Sequence, residues 1–189
     1  MARLPNRTRE TLSFEEKDIY DRIAAERKDV PSPFKVMLNS PGAAKVVADL
    51  GTYVRFHTPF SAAVRELVIL TVARWFDSLY EWGYHEPLAR KGKANAGLIE
   101  RIRIGDIPTS GDTEEIVAVR FAHELISRHD ITKDTFEKAK NIFGESGVVD
   151  LITLTGHYVL MAIIITALKA DLEPGMNPSL PIPAPIKKL

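Results

Sequence analysis

Residues 61–92 read SAAVRELVILTVARWFDSLYEWGYHEPLARKG, and this stretch decides the fold. From 61 to 77 the side chains are apolar almost all round, which marks a helix buried on most sides. Residues 78–92 form a second helix, in which Pro87 removes one backbone hydrogen bond and predicts a bend. At about 100° per residue, Ser78, Glu81, Trp82, His85 and Ala89 share the inward stripe, while Glu86, Arg90 and Lys91 fall on the other side. Polar groups in the middle of a core-facing stripe need partners there.

Outward from this pair, helical signals recur and strand signals are weak. Ser13 and Glu16 have capping-box spacing and open a helix with Ile19, Tyr20, Ile23 and Ala24. A Pro-rich break follows at Val30–Pro33, then Ser40-Pro41 reads as N-cap plus N1 proline. Ala43, Val46, Val47, Leu50, Tyr53 and Val54 continue at helical spacing, with Gly51 tolerated among them. C-terminally, a short helix near 95–103 leads to a turn at Gly105–Gly111. Asp112 with Glu115 is expected to cap a helix to about Ser127, and Thr132 starts another that Gly144 stops. A long apolar helix over 146–170 closes the core. The expectation is an all-α protein with an N-terminal arm (1–11), a helical domain (12–172) and an extended Pro-rich C-terminal tail (173–189). Leu180, Ile182 and Ile186 leave that tail either disordered or packed on a neighbouring subunit.

Composition narrows the function. The 189 residues carry 25 Lys+Arg against 25 Asp+Glu, so there is no basic surplus for nucleic acid. The chain has no cysteine, which excludes a disulfide, a thiolate nucleophile, a CxxC redox pair and a thiolate zinc site. Residues 1–11 hold three arginines but no apolar h-region follows, so they are not a signal peptide. The segment 148–168 is long and mostly apolar, yet it contains Asp150 and His157 and reads as a core helix rather than a membrane span. A cytoplasmic, soluble protein is expected. No HExxH occurs, so no metal is expected, and a Gly-rich phosphate loop and a G-x-S-x-G elbow are missing as well.

The candidate chemistry rests on a few polar residues. Glu81 and His85, four residues apart on an inward face, suit proton transfer, because imidazole titrates near neutrality and a desolvated carboxyl moves toward it. The same spacing serves a structural hydrogen bond or a subunit contact equally well. Glu66 is either a helix-N-terminal carboxylate paired with an arginine or a buried acid facing His85. Asp150, Thr153 and His157 project from one face of the long helix, where a lone inward histidine is more often core than catalyst. His57 either lines a cavity or answers the dipole at its helix C-terminus. His123 falls on a charged face and is expected to be exposed.

The spacing Glu66-x11-Ser78-x2-Glu81-x3-His85 resembles the core motif of the carboxymuconolactone decarboxylase / alkylhydroperoxidase D-like superfamily. The likeness extends to PFKVMLNSP and LGTYVRF upstream and to GVVDLITLTGHY downstream, and so spans roughly residues 12–170. Redox members of that superfamily carry cysteines where this chain has Ser78 and Glu81, and their Glu and His relay protons. Here the dithiol peroxidase cycle is chemically closed, and what survives is a set of acid–base groups.

The resemblance implies an alkylhydroperoxidase D-like helical bundle assembled as a homotrimer or homohexamer. It also implies a cofactor-independent, decarboxylase-like lyase acting on a small carboxylated or lactone compound. In that frame His85 is the proton donor or shuttle, Glu81 orients it, and Glu66 is a second acid/base. Ser78, Trp82, His57 and His157 are the candidates for substrate contact; Tyr80 points away on the wheel. Arg55, Arg65 and Arg74 are open possibilities for binding a substrate anion. An isomerase or hydratase on the same fold, or an oligomeric binding protein without turnover, are the alternatives.

Overall fold

The computed structural model describes residues 1–27 and 29–183. The described residues are helical with no strand: α1 (Phe14–Arg27), α2 (Ser32–Met37), α3 (Pro41–Phe56), α4 (Ala62–Trp75), α5 (Leu79–Lys91), α6 (Ala96–Ile104), α7 (Glu114–Arg128) and α8 (Lys133–Leu168), with a 3-10 turn at Arg9–Thr11. The all-α expectation holds, and helix existence follows local chemistry. Ser61, Asn95, Thr113 and Thr132 each accept the N–H of the residue three positions on, satisfying a donor that the first helical turn leaves orphaned. At α1 the Glu16 carboxylate accepts the Ser13 N–H at 2.9 Å, the returning half of a capping box.

Helix α4 is the axis of the molecule and packs against α5, α6, α7 and α8. Every residue from Glu66 to Arg74 is buried, as its all-round apolar sequence requires. Val68, Ile69 and Val72 meet Val117 and Phe121 of α7 and Leu151 and Leu154 of α8. On another side, Leu67 and Leu70 meet Trp82 and the α6 residues Ile99 and Ile102. A separate cluster joins Ile23, Phe34, Val47, Tyr80, Met161 and Ile165, and so ties α1, α2 and α3 to the C-terminal half of α8. Each fully buried Leu or Ile contributes about 1.5–3 kcal/mol.

Several local details differ from the sequence expectation. The break at Val30–Pro33 contains the short helix α2, whose second residue is Pro33, a position where the missing N–H has no intrahelical acceptor anyway. The N-cap of α7 is Thr113, because its hydroxyl takes the Ile116 N–H, while Asp112 instead pairs with Lys138 at 3.0 Å. Gly144 does end a helix, as expected: at φ 73°, ψ 177° it is non-helical and divides Lys133–Leu168 into two helical segments that follow one another without a loop.

Both ends of the described chain fold back onto it. Arg3 donates its backbone N–H to Leu168 and its guanidinium to Ala167, capping carbonyls that α8 leaves unpaired at its C-terminus. The described part of the tail, residues 173–183, packs on the chain's own helices. Glu173 accepts the Tyr80 hydroxyl at 2.6 Å and the Ser32 N–H at 2.7 Å. Met176 and Pro178 lie over Gly83, where an added Cβ would stand 2.8 Å from the Met176 Cγ. Leu180 is buried in the α4–α5–α6 cluster, and Arg74 donates to the Pro181 carbonyl at 2.7 Å. Ile182 is exposed, and Ile186 lies outside the described residues.

Helix α8 is long and apolar enough to cross a membrane by length and composition, but 56% of its most apolar 18-residue window is buried in the fold. It exposes a second stripe, Val149, Ile152, Leu160 and Ile163, spaced to lie along one face. Val46, Tyr53 and Phe56 of α3 are exposed as well, and the Tyr53 hydroxyl donates to Asp150 at 2.7 Å, joining the two helices.

Candidate active site

The turn between α4 and α5 folds the two helices against each other and brings together residues 19 positions apart. Ser78 is the N-cap of α5, and its buried hydroxyl accepts the Glu81 N–H. Beyond it the helix turns Glu81 and His85 toward α4 and α8. The imidazole of His85 is held between two carboxylates. Its Nδ1 lies 2.6 Å from the Glu66 Oε2, and its Nε2 lies 3.2 Å from the Glu81 Oε2. All three side chains are 95% or more buried. Of the two readings open for Glu66, geometry combines both: it faces His85 and also accepts Arg65 Nε at 3.2 Å.

This arrangement sets the charge of the imidazole. Burial by itself disfavours the imidazolium, but the Glu66 and Glu81 carboxylates outweigh it and raise the His85 pKa above the ordinary value. Burial likewise disfavours the Glu66 carboxylate, and His85, Arg65 and Arg55 overcome it, so its pKa falls. Both shifts favour the charged pair, imidazolium with carboxylate.

A cavity of about 40 Å³ opens beside this triad. Glu81 and His85 form part of its wall, with Tyr80, Tyr84 and Tyr158 around them and Arg27, Arg55 and His157 opposite in sequence. Glu66 is not on the wall; it stands behind the imidazole. The space is far below the several hundred Å³ of a drug-sized pocket, and suits one water or a very small group until its walls move. Those walls are the tail-braced elements. Glu173 links Tyr80 on α5 to Ser32 at the start of α2, whose Pro33 and Phe34 also line the space.

The remaining sequence candidates divide. His157 is 4% exposed, lines the cavity, and has a buried Nδ1 with no hydrogen-bond partner. Burial, helped by Arg27, His85 and Arg55, lowers its pKa to about 4, so it is neutral at pH 7. Ser78 stands away from the cavity wall, because its capping bond engages the hydroxyl. Trp82 is wholly buried on the α4–α6 side, with its indole N–H donated to Glu86 at 2.7 Å and Arg103 over its ring. His57 is exposed at the C-cap of α3 and does not reach the cavity. Tyr80 faces inward onto the cavity, opposite to its wheel position, because the turns around it bring Glu173 to its hydroxyl. His123 is half-buried edge-on to Trp75, and burial lowers its pKa.

Arg27, Tyr84 and Tyr158 reach the site without a sequence signal of their own. Arg27 ends α1, far from the motif, and the GHY triplet marks Tyr158 only through its neighbour His157. Among the described residues no group of three or more His, Asp or Glu side chains is arranged to hold a metal ion.

By sequence, no family model and no curated protein matches the chain. By structure it is similar to the alkylhydroperoxidase AhpD core of an uncharacterized peroxidase-related protein from Ralstonia eutropha. The TM-score is 0.73 at 14% identity, over 94% of this chain and 92% of that one. An uncharacterized peroxidase-related protein from a Silicibacter species gives a TM-score of 0.74 at 15% identity, covering 92% of each chain. The chain thus has the AhpD-like all-helical fold, with no cysteine in it to support a thiol peroxidase reaction.

Proposed function

We propose that the chain is a cofactor-independent acid–base enzyme of the carbon–carbon lyase type, decarboxylating a small carboxylated or lactone compound. The observation that carries this reading is the buried Glu66–His85–Glu81 array beside a cavity. Two carboxylates around one imidazole form a proton store in a site largely closed to water. Glu66, behind the ring on Nδ1, orients it and keeps it charged. Nε2 and Glu81 face the cavity and handle the proton. In this respect the roles of the two glutamates are exchanged relative to the sequence expectation.

The reaction needs no external electron acceptor. The carbon–carbon bond to the carboxylate breaks, CO2 leaves, and the electron pair enters the conjugated carbonyl of the substrate. His85, through Nε2 or the adjoining Glu81 carboxyl, then delivers a proton to carbon and is reprotonated from water. An isomerisation or hydration would use the same pair. The small cavity favours, as a second reading, a protein that binds a very small ligand without turnover.

The test is a panel of unsaturated lactones and acids followed by CO2 release and loss of ultraviolet absorbance. On a responding substrate, His85→Ala and Glu81→Gln, with folding checked by circular dichroism, should each lose about 10²–10⁴-fold in kcat. Undiminished turnover in both variants defeats the assignment.

We also propose that the chain acts as a homotrimer or homohexamer. The exposed apolar stripe of α8 and the neighbouring face of α3 support this, since contiguous apolar surface marks an interaction site.

A further inference from the structure

We infer that Arg55, with Arg27 and His157 beside it, forms an anion subsite in this cavity that holds the carboxylate of a small organic acid. The catalytic use of that subsite rests on the acid–base reading above; the binding itself does not.

The three arginines open to this role on sequence are separated by their surroundings. Arg74 is absent from the cavity wall and its terminal nitrogens are spent on Asp77, the Arg103 carbonyl and the Pro181 carbonyl, although its Nε has no partner. Arg65 is turned to Glu66 and is absent from the cavity wall. Arg55 lines the cavity and has a buried Nε without a hydrogen-bond partner; its side chain meets Tyr84, and its charge acts on Glu66 without forming an ion pair. Its guanidinium stands over the Tyr84 ring, 5.9 Å from the centroid.

The groups around it point the same way. Arg27 is matched by Glu26 at 2.9 Å and anchored to the Ala48 carbonyl at 3.0 Å, its guanidinium 5.0 Å over Phe34. His85 is matched by Glu66 and Glu81. Arg55 is left as a partly buried cation without an ion pair and with its Nε donor unspent, a state that a bound anion relieves. His157 adds an unpartnered buried nitrogen on the same wall without adding charge.

Gly51 makes the room. An added Cβ there would stand 3.0 Å from His157 Nε2 and 3.2 Å from Arg27 Nη2, so only glycine lets these groups approach α3 so closely. One cation without an ion pair, a planar guanidinium fork and a narrow space beside Glu81 suit a monoanionic carboxylate better than a doubly charged phosphate. Through a decarboxylation the substrate's negative charge passes from carboxylate to carbonyl oxygen, so a cation beside it serves both ends of the step.

The test is binding of acetate, acetamide and inorganic phosphate to the full chain, read by calorimetry. Acetate should bind saturably, and acetamide and phosphate should bind at least about tenfold more weakly. Arg55→Gln should weaken acetate by about tenfold or more, and Arg55→Lys by less, since charge stays and the fork is lost. Gly51→Ala, which leaves Arg55 in place, should weaken it comparably, while His85→Gln should retain it. Equal binding of acetate and acetamide, or acetate affinity unchanged in both Arg55→Gln and Gly51→Ala, overturns the subsite. Acetate binding through Arg55 with no turnover on any acid would leave the subsite standing and remove the acid–base reading. Turnover dependent on His85 but indifferent to Arg55 would do the reverse.

Discussion

His85 Nδ1 lies 2.6 Å from Glu66 Oε2, and neither side chain is more than 4% exposed. An ion pair this deep is stabilised by its own geometry but offers little net gain over an apolar replacement, because both groups have lost their hydration. Its retention next to a cavity is therefore easier to connect with proton chemistry than with stability.

Removing one partner tests that relationship. Glu66→Gln leaves a shape-matched amide beside a charged ring and is expected to destabilise the fold by about 1–3 kcal/mol. It should also lower the His85 pKa, since the largest favourable influence on the imidazolium is gone. Urea unfolding and an NMR titration of the imidazole measure the two effects separately; an unmoved pKa contradicts the pairing.

The pH dependence of stability has two sides. The folded-state pKa of His85 is raised, so its contribution is fully present below the unfolded value and is lost as pH rises through the folded one. His157 behaves oppositely. Its pKa falls to about 4 in the fold, so its contribution is present above the unfolded value, near 6.5, and is lost as pH falls toward 4. The window is worth on the order of 3 kcal/mol. Glu66, whose pKa is lowered, adds a further loss below its unfolded value. His157→Gln should flatten the stability profile between about pH 4 and 6.5; a variant as acid-sensitive as the parent in urea titrations would show that another group dominates.

The tail contributes to the fold through Leu180 and the Gly83 groove. Leu180→Ala is expected to cost about 2 kcal/mol, toward the low end for a buried leucine because the segment can partly collapse. Gly83→Ala drives a Cβ against Met176 and Pro178 and should free residues 173–183 to limited proteolysis. Cleavage at the parental rate in both variants would indicate that the Glu173 and Arg74 hydrogen bonds suffice to hold the strap.

The proposed oligomer is assigned to the stripe along α8. Ile163→Lys places a charge in the middle of an exposed apolar face and should shift the chain from oligomer to monomer in light scattering, with secondary structure unchanged. A monomeric parent at micromolar concentration removes the proposal directly.

Helix positions were legible because caps and periodicity act within about four residues. Ser61, Asn95 and Thr132 begin helices by bonds to their own neighbours, and the all-apolar run around Leu67–Ala73 is buried wherever it packs. The misplacements were local competitions: Thr113 outcompeted Asp112 as a cap, and the Pro-rich break proved to be a helix start. Glu81 and His85 were visible as an inward pair for the same reason, being one turn apart on a single helix.

What lies between helices was not legible. Whether Glu66 faced an arginine or an imidazole depended on how α4 rotates against α5, and the packing resolved it as both. Tyr80 turned inward because Glu173, 93 residues later, supplies an acceptor. Arg55 became distinct from Arg65 and Arg74 only through the partners that each finds or lacks in three dimensions. Gly51, neutral as a helix residue, acquired its meaning from Arg27 and His157 arriving from two other helices. The sequence by itself settled that the fold is helical, where most of the helices lie, and that no thiol takes part. Tertiary structure alone decided which buried charges are matched and which is left over, because desolvation and pairing depend on distances between residues that the chain order keeps far apart.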